Sequence, residues 1–402
     1  MSATRPRHTK CLSLLASLFL VVVAARTVVR SDDVREVRVS TTAELERALA
    51  AAKPGTRVLM APGSYEGFRI SNLNGSDGLP ILLAGANHEA PPVISSGVQF
   101  SEVSYLELAN LIIAGARTNG LNVDDGGTFD TPSHHVTLRN LTIRDCGGRG
   151  NDDGIKLSGV DDFRIERVTV ERWGRGGSAI DMVGCHRGVI DECKILDREL
   201  EAAATGIQAK GGTRDVTIRR SRFEHAGERA INIGGSTGLA YFRPKPESFE
   251  AKDITVEGCI FVGSAAPIAF VGVDGATVRR NTFYRPRKWF LRILQETRET
   301  DFVPCRHGKF LDNLIAYRST EVATPVNIGP GTAPETFEFA RNYWYCIDAP
   351  ARSRPNLPVA ETETAGGADP EFRNADAGDF RLAIESPARA HGATAFVLDK
   401  LK

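Results

Sequence analysis

Residues able to do chemistry recur at one place in a repeated pattern. Eight short segments place one residue between two apolar ones, and those middle residues are Asn122, Lys156, Asp181, Gln208, Asn232, Ala269, Arg292 and Asn327. Alternation along a strand turns them all to one face. Lys210 lies two residues beyond Gln208 and shares that face. A lysine crowded by cations can give up its proton and act as a base, so Lys210 or Lys156 is the candidate. Asp181 is placed to orient a lysine. Arg292 stays charged and can grip a carboxylate bidentately. Together these groups suit removal of a proton beside a carboxylate, with stabilisation of the enolate-like charge that follows. Lys210, Asp181, Lys156 and Arg292 are therefore the candidate catalytic residues. The competing reading is a solvated sheet face with an incidental lysine–aspartate pair, worth little.

Neighbouring residues fit an anionic ligand. Gln208 and Asn232 flank the lysines. Two long loops, 234–252 and 295–307, carry Tyr241, Phe242, Arg243, Lys245 and Glu296, and long loops in compact folds tend to be functional. Trp289 stands among Arg285, Arg287 and Lys288, and Trp173 between Arg172 and Arg175. An aromatic face beside cations suits a sugar carrying a carboxylate or sulfate. His186, in Cys185-His-Arg-Gly, follows the Asp181 segment and is expected to border the same face. The candidate binding residues are Gln208, Asn232, Arg243, Trp289 and His186. A hard cation such as calcium is an option through Asp152, Asp153 and Asp181, but the metal requirement is unknown from sequence.

These side chains become neighbours only if the chain coils. The steps from Ile155 to Ile180, Ile207 and Ile231 are 25, 27 and 24 residues, a period that means a solenoid. Second segments such as Val136–Ile143, Phe163–Val170, Val216–Phe223, Ile254–Phe261 and Ala276–Phe283 read as two strands joined by a bend. A bend column runs Leu141, Val168, Cys193, Ser221, Cys259, Asn281, Asn313, Asn342, its last members predicting an asparagine ladder. The expectation is an all-β chain: a single right-handed parallel β-helix of three strands per coil and about ten coils. It should occupy residues 37–350, with an N-terminal capping helix begun by Thr41 and Glu44 and apolar at Leu45, Ala48, Leu49 and Ala52. Residues 351–402 read as a loop and a C-terminal coil or cap.

Composition agrees with this class. The 402 residues carry 50 Lys+Arg against 50 Asp+Glu, a balance that argues against nucleic-acid binding. Residues 1–25 read as a signal peptide: a basic start, the apolar run Leu12–Val23, then Val23-Ala-Ala. A secreted or cell-envelope protein is expected, with no stable membrane span after cleavage, and a monomer. Six cysteines would remain, without a CxxC pair, so zinc is not suggested; Cys193 and Cys259 are expected to be buried and inert.

The start Thr41–Tyr65, Asp153-Gly-Ile, the Asn/Cys bend column and the end Asp379-Phe-Arg-Leu resemble the pectate-lyase-like right-handed parallel β-helix superfamily. More distantly the chain is similar to alginate lyase and chondroitinase B polysaccharide lyases. Lys210, in Gly206-Ile-Gln-Ala-Lys-Gly-Gly, resembles the lysine that ends a strand-plus-turn there. The arginine expected one coil later is absent, since Arg229 precedes its strand, and Ala203 and Thr205 replace that family's carboxylates. Its calcium site and acid are thus not carried over. The resemblance implies a carbohydrate-active protein, lyase-like, with an acidic polysaccharide as partner. A glycoside hydrolase, a uronate epimerase and a non-catalytic glycan-binding surface protein are the alternatives.

Overall fold

The computed structural model describes residues 34–400 except 129, 201, 244–247 and 300, together with residues 1 and 2. The expected signal segment 1–25 lies, beyond its first two residues, outside the described residues, as does Lys245. Side chains of 397–400 are likewise not described.

Parallel strands stack into three long sheets of 10, 12 and 13 strands. Each coil contributes to all three, because a residue in the left-handed region bends the chain at each corner. At the corner just before the bend column, seven of these residues are not glycine: Asn140, Arg167, Glu192, Arg220, Arg280, Asp312 and Arg341, with φ from 49° to 55°. Each costs about 1–2 kcal/mol, and where asparagine follows, it offsets this by pairing backbone groups the bend leaves open. Asn313 Oδ1 accepts the Asn281 N–H at 2.9 Å, and Asn342 Oδ1 accepts the Asn313 N–H at 3.0 Å. Their side-chain amides donate to Val256 O, Val278 O and Phe310 O. The asparagine ladder expected from the bend column is thus present.

Inward residues of successive coils stack as well. Phe223, Phe261, Phe283 and Phe310 form one column with ring centroids 4.6, 4.8 and 5.5 Å apart. The six cysteines of the described residues are buried and unbonded. Burial pushes Cys185 and Cys193 up to about 12.

The N-terminal end is closed by the strand Arg35–Val39 and the helix Thr42–Ala50. Thr41 caps the helix by accepting the Glu44 N–H, while Glu44 accepts from Ser40. Leu45, Ala48 and Leu49 seal the first coil. The C-terminal part, read as a loop and a coil or cap, is built as follows. Ala365–Gly366 adds one rung to the twelve-stranded sheet. Phe372–Asn374 and Asp379–Leu382 then pair antiparallel, and a helix, Gly392–Lys400, lies against that sheet's outer side through Ala393 and Thr282. No helix among the described residues is long and apolar enough to cross a membrane.

Candidate functional site

The ten-stranded sheet runs from Arg69–Ser71 to Val326–Ile328. Its register pairs Asn122 with Lys156, Lys156 with Asp181, Asp181 with Gln208, Gln208 with Asn232, Asn232 with Ala269, Ala269 with Arg292 and Arg292 with Asn327. The expected column therefore stands in one line, rungs about 4.8 Å apart. It also extends upstream to Gln99 and Arg69.

Lys156, Asp181 and Lys210 converge with a fourth residue, Asp153. Lys156 Nζ lies 2.6 Å from Asp181 Oδ2 and 3.2 Å from Asp153 Oδ2. Lys210 Nζ is 3.3 Å from Asp181 Oδ1 and donates to Gln208 Oε1 at 3.3 Å. Both carboxylate side chains are 2% exposed, whereas the lysines are 27% and 16% exposed. The site thus presents two ammonium groups above two sealed carboxylates. Asp153 Oδ1 accepts the Ser178 N–H at 2.7 Å, which fixes the acid against the next coil.

Electrostatics follow from this layering. Burial first, and then the Asp181 charge, push Asp153 up to about 6. Burial alone would lower Lys156, but Asp181 and Asp153 outweigh it and hold the group above the usual lysine range. The expectation that cation crowding frees Lys156 as a base is corrected: its neighbours are acids, and it is kept as an ammonium. Nor do the acids make a calcium site. The Lys156 ammonium sits between Asp153 and Asp181 where a divalent ion would have to be, and no group of three metal-ligating side chains occurs among the described residues.

The other candidates fall elsewhere. Arg292 is on the same wall, but four rungs from Asp181, about 19 Å, and so does not join the cluster. Its guanidinium lies 4.6 Å from the Trp289 ring centre and donates to Asn327. Burial, then the charge of Arg229, lower its pKa. Lys288 covers the same ring at 4.4 Å, so the Trp289 face expected to meet a sugar already carries two cations. Trp173 is buried. Asn232 is 2% exposed and is held by Arg229 and the Gly234 carbonyl, which removes it from the ligand-facing surface. His186 starts the strand His186–Asp191 of the thirteen-stranded sheet, because Gly184 at φ 58° turns the chain before it. It pairs with Asp161 at 3.0 Å and does not face the groove. Arg243 is a tether: it donates to the buried Asp125 at 2.8 Å. Its loop also packs on the 295–305 loop through Phe242 and Phe302. The buried Glu250 fastens both loops, accepting from Thr237, Thr297 and the Gly211 N–H.

Asp153 is grouped by sequence reading with Asp152 and Asp181 as an option for a cation, not as a partner of Lys156. Its position one turn before the Lys156 strand was the signal that could have placed it beneath that lysine.

A family described as right handed beta helix region matches residues 96–283. No curated protein sequence matches the chain. Among solved structures, pectate lyase Pel9A matches with a TM-score of 0.56 and 14% identity over 88% of this chain and 90% of that one. The PL6 family alginate lyase AlyGC matches at 0.50 and 13% over 89% and 56%. An alginate lyase from Paenibacillus sp. str. FPU-7 matches at 0.49 and 18% over 74% and 96%. The fold is that right-handed parallel β-helix; at these identities the likeness concerns fold alone.

Proposed function

We propose that this right-handed parallel β-helix acts on an acidic, uronate-bearing polysaccharide laid along its ten-stranded sheet, cleaving it by β-elimination. The observation that carries the reading is the pair of partly exposed lysine amino groups, Lys156 and Lys210, joined through a carboxylate that solvent cannot reach. The two lysines and Gln208 face the ligand there, so a sugar carboxylate is drawn to the floor of the groove. Lys156, kept charged by its two acids, neutralises that carboxylate as negative charge develops on it. Lys210 is the base that takes the proton beside the carboxylate. The carbon–oxygen bond to the next sugar breaks, a carbon–carbon double bond forms, and Lys210 returns the proton to the departing oxygen. Asp181 touches no substrate in this scheme; it positions both lysines.

A second reading is hydrolysis by Asp153 and Asp181, favoured by the raised Asp153 value beside a second acid. Their burial beneath Lys156 counts against it. Incubation with alginate, polygalacturonate and chondroitin separates the readings. Unsaturated products absorb in the ultraviolet; reducing ends without that absorbance mean hydrolysis. Altered uronate composition without cleavage means epimerisation, and retention without product means a binding protein. Under elimination, Lys210→Ala and Asp181→Ala each abolish turnover while the fold persists. Near-normal activity in both variants moves the chemistry elsewhere. Export through residues 1–25, giving a secreted or envelope protein, belongs to the same proposal and is tested by the N-terminal sequence of the mature chain.

A further inference from the structure

The groove does not stop at Asn122. Its first coils hold a cleft of about 760 Å³ lined by Arg69, Gln99, Asn122, Arg117 and Asn119. Arg69 stands in the same outward column as Lys156, three rungs upstream through Gln99 and Asn122, a distance of about 14 Å. Arg69 and Arg117 are both exposed, and neither has an ion-pair partner among the described residues. Four arginines on the outer face of the thirteen-stranded sheet are different. Arg139, Arg219, Arg279 and Arg306 are each bound to an acid, as a solvated structural face requires.

Cleft and cluster are joined by side chains. Asn119 Oδ1 accepts the Asp153 N–H at 2.7 Å, so the cleft wall holds the backbone of the acid beneath Lys156. Asn122 and Gln99 are fixed by each other and by Asp124. Their amides form a rigid polar floor between the two arginines and the lysines. One acid, Glu46 of the capping helix, also lines the cleft.

We propose that this cleft is a distal subsite that takes a second carboxylate of the same acidic glycan, several sugars from the bond at Lys210. The inference rests on the acidic-glycan reading above. Arginine suits the task because it holds a planar carboxylate by two parallel hydrogen bonds and stays charged. The rigid floor adds contacts without a large ordering cost. A chain long enough to span both places binds through both, whereas a short oligomer at the lysines never reaches Arg69.

The test compares wild type with the Arg69→Ala/Arg117→Ala double variant and with Glu46→Gln. Retention in gels containing alginate or polygalacturonate is measured beside dextran as a neutral control. KM is measured for octasaccharides and trisaccharides of the retained polymer. The double variant is expected to be retained about tenfold less, the loss of one charge-assisted contact set. Its KM should rise about tenfold for octasaccharides but not for trisaccharides, with the loss read in KM rather than kcat. Glu46→Gln, which removes an acid lining the cleft, should strengthen retention. Unaltered thermal midpoints show that each variant is folded. Equal retention and equal length dependence in wild type and double variant would overturn the subsite and leave the site at the lysines standing. A wild-type chain that is retained by no acidic polymer would overturn both.

Discussion

Replacing Lys156 by methionine is the most direct test of the layered site. The substitution keeps most of the side-chain volume but removes the ammonium held between Asp153 at 3.2 Å and Asp181 at 2.6 Å. Two carboxylates, each 2% exposed, would then face one another. Taking one partner from a buried ion pair costs about 3–5 kcal/mol, and paired carboxylates relieve the repulsion by keeping a proton. The pH dependence carries the signature. In the wild type Asp153 is raised from 3.8 to about 6 in the folded state. Its favourable contribution is complete below about pH 4 and is lost as pH rises to about 6. A shift of that size is about 3 kcal/mol. Without Lys156 the folded value moves higher still, so the loss continues above pH 6 at up to about 1.4 kcal/mol per pH unit. Urea midpoints at pH 5 and pH 8 measure this. The stability deficit of Lys156→Met relative to wild type should be larger at pH 8 than at pH 5, by at least about 1.4 kcal/mol. An equal deficit at both pH values, or a larger one at pH 5, would refute the claim that Lys156 compensates two buried acids.

Other outcomes follow from features away from the lysines. Asn313→Ala strips the Asn281 N–H and side-chain amide of their acceptor. It should cost about 3 kcal/mol in urea unfolding while glycan cleavage stays normal. Asp125→Asn weakens the anchor of Arg243 and should speed proteolysis within residues 235–249 roughly tenfold, as local opening becomes easier. Burial holds Cys146 and Cys305 at about 11 and Cys185 and Cys193 at about 12. Almost no thiolate exists at pH 8, so a disulfide reagent should label these thiols only after denaturant is added.

Much of the coil was legible before any coordinates. A small residue followed by two apolar positions around a variable one fixed which residues share a wall, and the register of Lys156, Asp181 and Gln208 followed from it. The asparagine ladder was legible because a bend makes the same hydrogen-bonding demand in every coil. Side-chain depth was not. Asp153 is fixed beneath Lys156 by the Ser178 N–H of the next coil, at a position just before the alternating strand begins. The first coil carries the same pattern in Gly67-Phe68-Arg69-Ile70, which sets Arg69 in the column. The fate of Arg243 was hidden by distance: its partner Asp125 is 118 residues away, beyond what periodicity can connect. His186 was misplaced because the pattern does not say at which residue a corner ends one sheet and begins the next.

The Arg243 tether has a mechanical consequence. Coils of a solenoid grip only their immediate neighbours, so a pull along the axis peels them off singly, like beads from a string. A cross-brace from the loop after Arg229–Gly234 back to Asp125 spans the coils between, and they cannot leave one at a time until it snaps. The lysine-bearing stretch is therefore built as a clamped block.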